Sequence, residues 1–418
     1  MEAHFNTAAW VNQSTIYEVN IRQYTPEGTF SAFVHHIPRL KDMGVNVLWL
    51  MPITPISNKF MKGTLGSYYA CSSYTKINPA FGNESDFLAL IKCAHENEMK
   101  VIIDWVANHT GANHEWMEQH PEWFSRDMQG NFIERNGWED VVDLNYENKD
   151  MRNALIGAMQ YWVRNFNIDG FRCDMAHLVP LDFWINARVA CDNIKPLFWL
   201  AECENASYHP TFDASYAWDW MHVTEKLHHQ HAGLNDVYHV LEGYANYPKG
   251  ALKLFFTSNH DENSWNGTEY EKYGVAAKSW AVFTHTWKGL PLIYSGQELP
   301  NYKRLKFFDK DVIEWHKEPA LHHFYKKLSI CRMQYPALIN GATYILPTTS
   351  DGVMAYLRYD NHHIILVVLN ISNEIQKTAF SHERLMGAFK NVFSGITFHF
   401  ENKVSFELMP GDYFVYAK

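Results

Sequence analysis

Residues 169–174 read Asp-Gly-Phe-Arg-Cys-Asp and place an arginine two positions before a carboxylate. If this stretch is a strand, Arg172 and Asp174 lie on one face, because alternate residues of a strand point the same way. A neighbouring cation favours the ionised carboxylate, which is the form that a nucleophile needs. Taken alone, the pattern is more often an ordinary surface ion pair. Its meaning therefore depends on the other polar clusters of the chain.

Three further polar clusters follow predicted strands. They are Asp104-Trp105-Val106-Ala107-Asn108-His109, the single residue Glu202, and Asn259-His260-Asp261. Each cluster alone is explained equally well as a helix cap or a turn. Their recurrence at the same end of successive strands predicts instead that they meet at one site.

These residues have the composition of a site that cleaves a glycosidic bond with retention. That reaction uses two carboxyl groups about 5–5.5 Å apart, one as nucleophile and one as acid/base. Asp174 is the candidate nucleophile and Glu202 the candidate acid/base, since apolar neighbours in residues 198–201 would raise the pKa of Glu202. Asp261 is a third carboxylate that could stabilise positive charge on the sugar ring.

The elements that must position these residues alternate between apolar runs and amphipathic stretches. Strands are predicted at residues 16–24, 45–51, 100–105, 168–173, 197–201, 215–218, 252–257 and 290–294, with helices at 30–43, from 150, and at 275–286. Eight such units predict an α/β fold, a (β/α)8 TIM barrel. A doubly wound open sheet is the alternative.

Two segments fall outside this alternation. Residues 110–147 form a long polar interval after the third strand and predict a small insertion. After residue 338, short β-type runs separated by turn residues predict a C-terminal antiparallel β domain, a sandwich, over 339–418. The barrel is then expected to comprise residues 1–109 and 148–338.

Charge and composition narrow the partners of the 418-residue chain. With 36 basic and 46 acidic residues, its net charge is -10, which disfavours nucleic acid and anionic membranes as partners. Aromatic residues make up 15% of the chain and suit the flat faces of sugar rings.

The cysteines and the N-terminus bear on cellular location. Six irregularly spaced cysteines indicate neither a disulfide framework nor a metal cluster. The first residues lack the pattern of a signal peptide, and no apolar stretch of about 18 residues is present. We therefore expect a cytoplasmic protein, although an exported protein whose signal has been removed would look the same.

The segments DWVANH, GFRCD, AECE and SNHDE, in this order, resemble the signature regions of the α-amylase family, glycoside hydrolase family thirteen. Residues 44–52, Asp143-Leu144-Asn145 and the β-rich tail resemble further parts of that family. The resemblance implies a nucleophile at Asp174, an acid/base at Glu202 and a transition-state stabiliser at Asp261.

The resemblance also implies contacts to the sugar in the cleavage subsite. These would come from His109, Arg172 and His260, with Tyr69 stacking beneath the ring and Asp104 orienting Arg172 from behind. For Tyr69, a packed barrel residue is the alternative. Trp105, Trp138 and Trp265 lie near the predicted mouth, where each either lines a sugar subsite or packs in the core.

The chain departs from the family pattern after the nucleophile. Many α-amylases carry a Lys-His pair at the third and fourth following positions, where this chain has His177 and Leu178. His177 either replaces the lysine as a donor to the substrate or is a structural histidine. The departure leaves the specificity and the balance of hydrolysis against transfer open.

The family resemblance raises the question of a calcium ion. Asn108, with Asp140 or Asp143, could contribute oxygen ligands, but a hard cation needs about six to eight of them, and a turn role for Asn108 is the alternative. No organic cofactor is expected, because no nucleotide-binding or phosphate-binding motif occurs.

The sequence thus predicts a retaining α-glycoside hydrolase that acts on α-glucans or maltooligosaccharides. A 4-α-glucanotransferase or an α-glucosidase with the same acids is the nearest alternative, because hydrolysis and transfer differ in the acceptor alone. A non-catalytic glycan-binding protein is a third reading, disfavoured by the presence of all three carboxylates. Linkage, chain length and oligomeric state are left open.

Overall fold

The computed structural model describes residues 5–418, so the first four residues, on which the expectation about an export signal partly rests, lie outside the described residues. Its first strands, in chain order, are β1 (Ile16–Val19), β2 (Val47–Leu50), β3 (Lys100–Val106), β4 (His109–Gly111), β5 (Val141–Asp143), β6 (Gly170–Asp174), β7 (Phe198–Ala201), β8 (Ala214–Tyr216), β9 (Leu252–Phe255) and β10 (Leu290–Tyr294).

Eight of these strands close into a parallel barrel. Around its circumference the order is β1, β2, β3, β6, β7, β8, β9 and β10, and β10 pairs again with β1. Every residue of β2 and β7 is buried, as expected for strands that are covered on both faces and therefore read as continuous apolar runs. The predicted TIM barrel is confirmed, and the open sheet is excluded.

The helices surround the barrel. They are α1 (Ile21–Tyr24), α2 (Phe30–Val34), α3 (Ile37–Asp42), α4 (Glu84–Glu96), α5 (Trp116–Gln119), α6 (Lys149–Phe166), α7 (Leu181–Asp192), α8 (Trp218–His228), α9 (Leu234–Ala245), α10 (Glu269–Tyr273), α11 (Ala277–Thr286), α12 (His322–Gln334) and α13 (Ala337–Asn340). In α6, Leu155, Trp162 and Phe166 recur on one buried face. None of the helices found within residues 5–418 is long and apolar enough to cross a membrane.

Two predicted elements are wrong in detail. The strand expected at 16–24 ends at Val19, and α1 follows at once. The backbone N–H of Asn20 donates to Ser295 Oγ instead of continuing the ladder. The helix expected at 30–43 is divided into α2 and α3, because Pro38 occupies the first turn of α3 and favours a new start there.

The C-terminal strands are β11 (Ala342–Ile345), β12 (Val353–Tyr359), β13 (Ile364–Asn370), β14 (Gln376–Ser381), β15 (Gly387–Asn391), β16 (Thr397–Phe400), β17 (Lys403–Leu408) and β18 (Tyr413–Ala417). Six of them form one antiparallel sheet, and β14 pairs with β17 in a second. A separate apolar cluster that includes Val353, Leu366 and Phe380 lies between these strands. The antiparallel C-terminal fold is confirmed, while its exact boundary at residue 339 stays a prediction.

Residues 110–147 leave the barrel after β3. The only strands found in this part are β4 and β5, which pair antiparallel and place His109 opposite Asp143. The insertion therefore returns to the end of β3, where the polar cluster at 104–109 lies. Its limits as a separate unit also stay a prediction.

A buried carboxyl group links the loops that follow β9 and β10 at the barrel mouth. Glu269, at the start of α10, accepts hydrogen bonds from Thr257 Oγ1 at 2.9 Å and from Gln297 Nε2 at 2.6 Å. Thr257 precedes the cluster at 259–261, and Gln297 follows β10. Burial raises the pKa of Glu269 from 4.5 to about 7.

We expect this carboxyl group to make stability depend on pH. Because its pKa is raised on folding, the stability that it contributes is complete below about pH 4.5 and is lost as the pH rises to about 7. Glu269→Gln keeps an oxygen acceptor without a charge. The free energy of unfolding of this variant, relative to that of the wild type, should therefore rise over this pH window by up to about 3 kcal/mol. Thermal unfolding of both proteins from pH 4.5 to 8 measures the difference, and parallel profiles would contradict it.

Candidate active site

Arg172 lies at the centre of the polar residues at the C-terminal ends of the barrel strands. Its side chain has no solvent exposure, and its Nη1 atom lies 3.0 Å from Asp104 Oδ1 and 2.9 Å from Asp174 Oδ1. Its Nη2 atom lies 3.0 Å from Glu202 Oε2, without the alignment of a hydrogen bond, so this contact is an ion pair. Three carboxyl groups thus surround one guanidinium.

Asp104 is held from three sides. Besides Arg172, its carboxylate accepts hydrogen bonds from Trp49 Nε1 at 3.2 Å and from the Tyr69 hydroxyl at 3.1 Å. Tyr216 is a further neighbour of the guanidinium, since its hydroxyl accepts from Arg172 Nε at 3.0 Å. The guanidinium therefore has little freedom to turn.

Glu202 is oriented by the turn that follows Asp174. The backbone N–H of Met175 donates to Glu202 Oε2 at 2.8 Å. Met175 takes up a left-handed conformation with a φ of 41°, which is strained for a side chain of this size. This turn brings the two carboxyl groups to the same cavity.

Burial and a second acid act on Asp174. Desolvation and then the neighbouring Glu202 raise the pKa of Asp174 well above its ordinary value, and Arg172 lowers it without outweighing them. The ionised state of Asp174 beside Arg172 therefore stays a prediction, because burial and a second acid oppose the effect of the guanidinium. Burial likewise raises the pKa of Asp104, against the effect of Arg172.

His260 forms a second charged group on the opposite side of the mouth. Burial lowers its pKa, but Asp261 and Glu18 together raise it well above 6.5. Its Nδ1 contacts Glu18 Oε1, and its Nε2 lies 3.3 Å from Asp261 Oδ2 and 2.7 Å from the Tyr69 hydroxyl. The charged His260 in turn holds the pKa of Asp261 below its ordinary value, despite burial.

His109 is different, because no carboxylate pairs with it. Burial lowers its pKa to about 4, so the ring is neutral near pH 7. Its ring centroid lies 5.1 Å from that of Trp138 in the insertion. A neutral imidazole can still donate one hydrogen bond to a sugar hydroxyl.

Two cavities meet at Glu202. The first, of about 510 Å³, is lined by Tyr69, His109, Asp174, Glu202 and Asp261 together with Lys62, Ser67, Trp138, Asp140, Val141, Met175, Trp265, Phe307 and Phe308. The second, of about 710 Å³, is lined by Met175, His177, Glu202, Cys203, Glu204, Asn205, Ala206, Trp218 and Tyr247. An elongated ligand could occupy both.

The remaining candidate residues lie in three different places: the first cavity, the second cavity and the core. The Tyr69 ring stacks on that of His260 with centroids 5.3 Å apart and also lines the first cavity, whereas His177 lines the second. Trp138 and Trp265 line the first cavity, but Trp105 is 2% exposed and packs against Tyr74 and Phe171. Trp105 is therefore a core residue.

Several contributing residues were missed in the sequence. Glu18 lies inside the apolar run of β1, and a charged residue in such a run signals a buried partner, here His260. Phe307 and Phe308 follow the last barrel strand in a loop without a recognisable pattern. Nothing in the sequence indicated that they line the cavity.

The residues offered for calcium do not fit a cation. Asn108 lies in a cavity lined by three arginines, Arg126, Arg135 and Arg152, besides Glu147 and Asp182, and Arg135 Nη1 contacts Asp143 Oδ2 at 3.0 Å. Asp140 lies elsewhere, on the first cavity, and pairs with Lys62. Within residues 5–418, no three His, Cys, Asp or Glu side chains converge as ligands.

We therefore expect the protein to be indifferent to calcium. Arg135 already pairs with Asp143, and Arg126 and Arg152 add positive charge to the same cavity. EDTA should therefore shift the unfolding temperature by less than about 1 °C, whereas a bound metal would stabilise the fold by mass action. Unfolding scans with EDTA and with millimolar calcium, on protein purified in each, make the measurement. A rise of several degrees with calcium would contradict the expectation.

Comparison with known proteins assigns this arrangement to a family. The α-amylase catalytic-domain family matches residues 7–137 and 119–190. A noncanonic maltogenic α-amylase AmyB from Thermotoga neapolitana superposes with a TM-score of 0.90 at 31% identity, over 97% of this chain and 98% of that one. An α-amylase from Lactobacillus plantarum superposes with a TM-score of 0.89 at 27% identity, over 97% and 99%.

Among curated proteins, the α-amylase MalA of Haloarcula japonica is 28% identical over 397 residues, which cover 88% of this chain and 57% of that protein. The chain thus spans little more than half of this relative's length. The class that the barrel and the similarities define is that of the glycoside hydrolases. Within it, the chain belongs to the α-amylase family.

Proposed function

We propose that the protein is a retaining α-glycoside hydrolase that acts on α-glucans or maltooligosaccharides. The observation that carries the proposal is the pair of carboxyl groups, Asp174 and Glu202, that face one buried guanidinium at the floor of a cavity. One carboxylate and one carboxylic acid are what double displacement at a sugar requires.

In the proposed reaction, Asp174 attacks the anomeric carbon while Glu202 donates its proton to the departing oxygen. The bond from the sugar to that oxygen breaks, and an ester to Asp174 forms. Glu202, now a carboxylate, then removes a proton from water, which attacks the same carbon and releases Asp174. The two inversions return the α configuration.

Arg172 contacts both carboxyl groups and stabilises negative charge on the pair, while burial and the neighbouring Glu202 raise the pKa of Asp174. Such a pair titrates as a unit. Asp261, whose pKa is lowered through His260, stays ionised and can stabilise positive charge on the ring.

The same geometry orients the substrate. Asp174 and Asp261 line the first cavity alone, whereas Glu202 lines both, so the leaving part of the glycan extends from Glu202 into the cavity of His177 and Trp218. The retained sugar then occupies the cavity of Tyr69, His109 and Asp261, where Tyr69 offers an aromatic face.

Two substitutions test the roles of the acids. Glu202→Gln should lower kcat on maltooligosaccharides by about 10²–10⁴-fold, but much less on aryl glycosides whose leaving groups need no proton. Asp174→Asn should abolish turnover of both substrates, because no nucleophile remains. Steady-state rates and circular dichroism of each variant are compared with those of Glu96→Gln, a surface control 64% exposed at its side chain. Equal losses on both substrates for Glu202→Gln would contradict its role as acid.

The product profile separates hydrolysis from transfer. With the second cavity open to water, maltoheptaose should give products shorter than itself at all times. A 4-α-glucanotransferase would instead give longer oligosaccharides early, because a sugar rather than water resolves the ester. Chromatography of samples taken during the first few per cent of conversion makes the distinction, and a binding protein without activity would leave the substrate unchanged.

A further inference from the structure

The cavity assigned to the retained part of the substrate is lined by an ion pair between Lys62 and Asp140. This inference rests on the proposed function, since the direction of the substrate follows from Glu202 as the acid. Glu202 lines both cavities, whereas Lys62 and Asp140, with the rings of Trp265, Phe307 and Phe308, line the first cavity and not the second.

One wall of this cavity consists of two loops that are fastened together. Residues 58–66 follow β2, and residues 301–309 follow β10. Asp309 Oδ1 accepts hydrogen bonds from the backbone N–H and the hydroxyl of Thr64 at 2.8 and 2.7 Å. Arg22, which is buried, donates to the carbonyl oxygens of Gly66 and Phe307 at 3.0 and 3.2 Å.

The contact between these loops leaves no space for a side chain at one point. Gly63 has a φ of +61°, and a Cβ atom there would lie 2.5 Å from Phe308 Cβ. The backbone that directly follows Lys62 is therefore held against the loop at 301–309.

Asp140 approaches from the insertion on the other side of the cavity. Its side chain is 8% exposed, and its Oδ1 atom lies 3.5 Å from Lys62 Nζ. It directly precedes β5, which is anchored through its pairing with β4. The ion pair thus bridges two parts of the chain that otherwise flank the cavity.

We propose that the Lys62–Asp140 bridge closes the glycone end of the cleft and limits the protein to one or two sugar units beyond the cleaved bond. A cavity of about 510 Å³ suits a ligand of a few rings rather than a long chain. The substrate enters by its non-reducing end, and the product is glucose or a disaccharide. The open cavity of His177 and Trp218 accommodates the rest of the chain.

Maltoheptaose labelled at its reducing end tests the bridge, because the labelled fragment reports the position of the first cut. The wild type should give mainly labelled maltohexaose and maltopentaose. Lys62→Ala should raise the share of labelled maltotetraose and maltotriose at least threefold. Because this variant leaves Asp140 buried without its cation, Lys62→Ala/Asp140→Asn is measured beside it and should show the same shift with an intact fold.

Salt provides a second readout. At 1 M NaCl the screening length falls to about 3 Å, although partly buried pairs are screened less than exposed ones. The wild-type pattern should therefore move part of the way towards that of the double variant, which should not change. Lys377→Ala, which breaks an ion pair of 3.4 Å on the C-terminal strands, should keep the wild-type pattern. Internal cuts as the main wild-type products, or an unchanged pattern in both cleft variants, would overturn the proposal.

Results that refute the role of the Lys62–Asp140 bridge can be told apart from results that refute the hydrolase assignment. If the wild type cleaves no α-glucan, or if Asp174→Asn stays active, the assignment of the activity itself is wrong. If turnover is normal and the positions of cleavage do not respond to Lys62, the hydrolase assignment stands and only the bridge is refuted.

Discussion

The burial of Arg172 is the constraint on which the site depends. A guanidinium stays charged in any protein, and a charge without solvent contact must be paired. The pairing requires Asp104 from β3, Asp174 from β6 and Glu202 just beyond β7 to meet at one point. The barrel supplies this meeting point, because the carboxyl ends of its parallel strands converge. The same arrangement that satisfies the arginine leaves two acids at the cavity in different surroundings.

Charge around the site is distributed unequally. His260 is charged because Glu18 and Asp261 flank it, whereas His109 is neutral because it has burial without a carboxylate. Tyr69 connects the two sides through its hydroxyl, which contacts both Asp104 and His260. The cavity therefore offers a cation, a neutral donor and an aromatic face within a short distance, which suits a neutral substrate with many hydroxyl groups.

The features of the fold and the site that could be predicted are those encoded by residues close together in the sequence. The barrel strands were found because buried parallel strands are apolar throughout, and the acids because each follows such a strand. Residues 16–24 were misread since a short apolar run does not distinguish a strand from a strand followed by a helical turn. The effects of burial and of Glu202 on the pKa of Asp174 were not readable, because both are properties of the fold. Lys62, Phe307 and Phe308 lie in loops whose meeting no local pattern encodes.

The hydrogen bonds between the loop at 58–66 and the loop at 301–309 have a consequence for folding. The hydrogen bonds from Thr64 to Asp309 join residues 245 positions apart, across the seam where β10 pairs with β1. Contacts of such separation form after the local ones, because the chain must first close a long loop. A nascent or truncated chain that lacks the last barrel strand would carry Arg172 and its carboxylates without this wall. This wall of the cavity can form only once the chain beyond β10 is present, because Asp309 follows that strand.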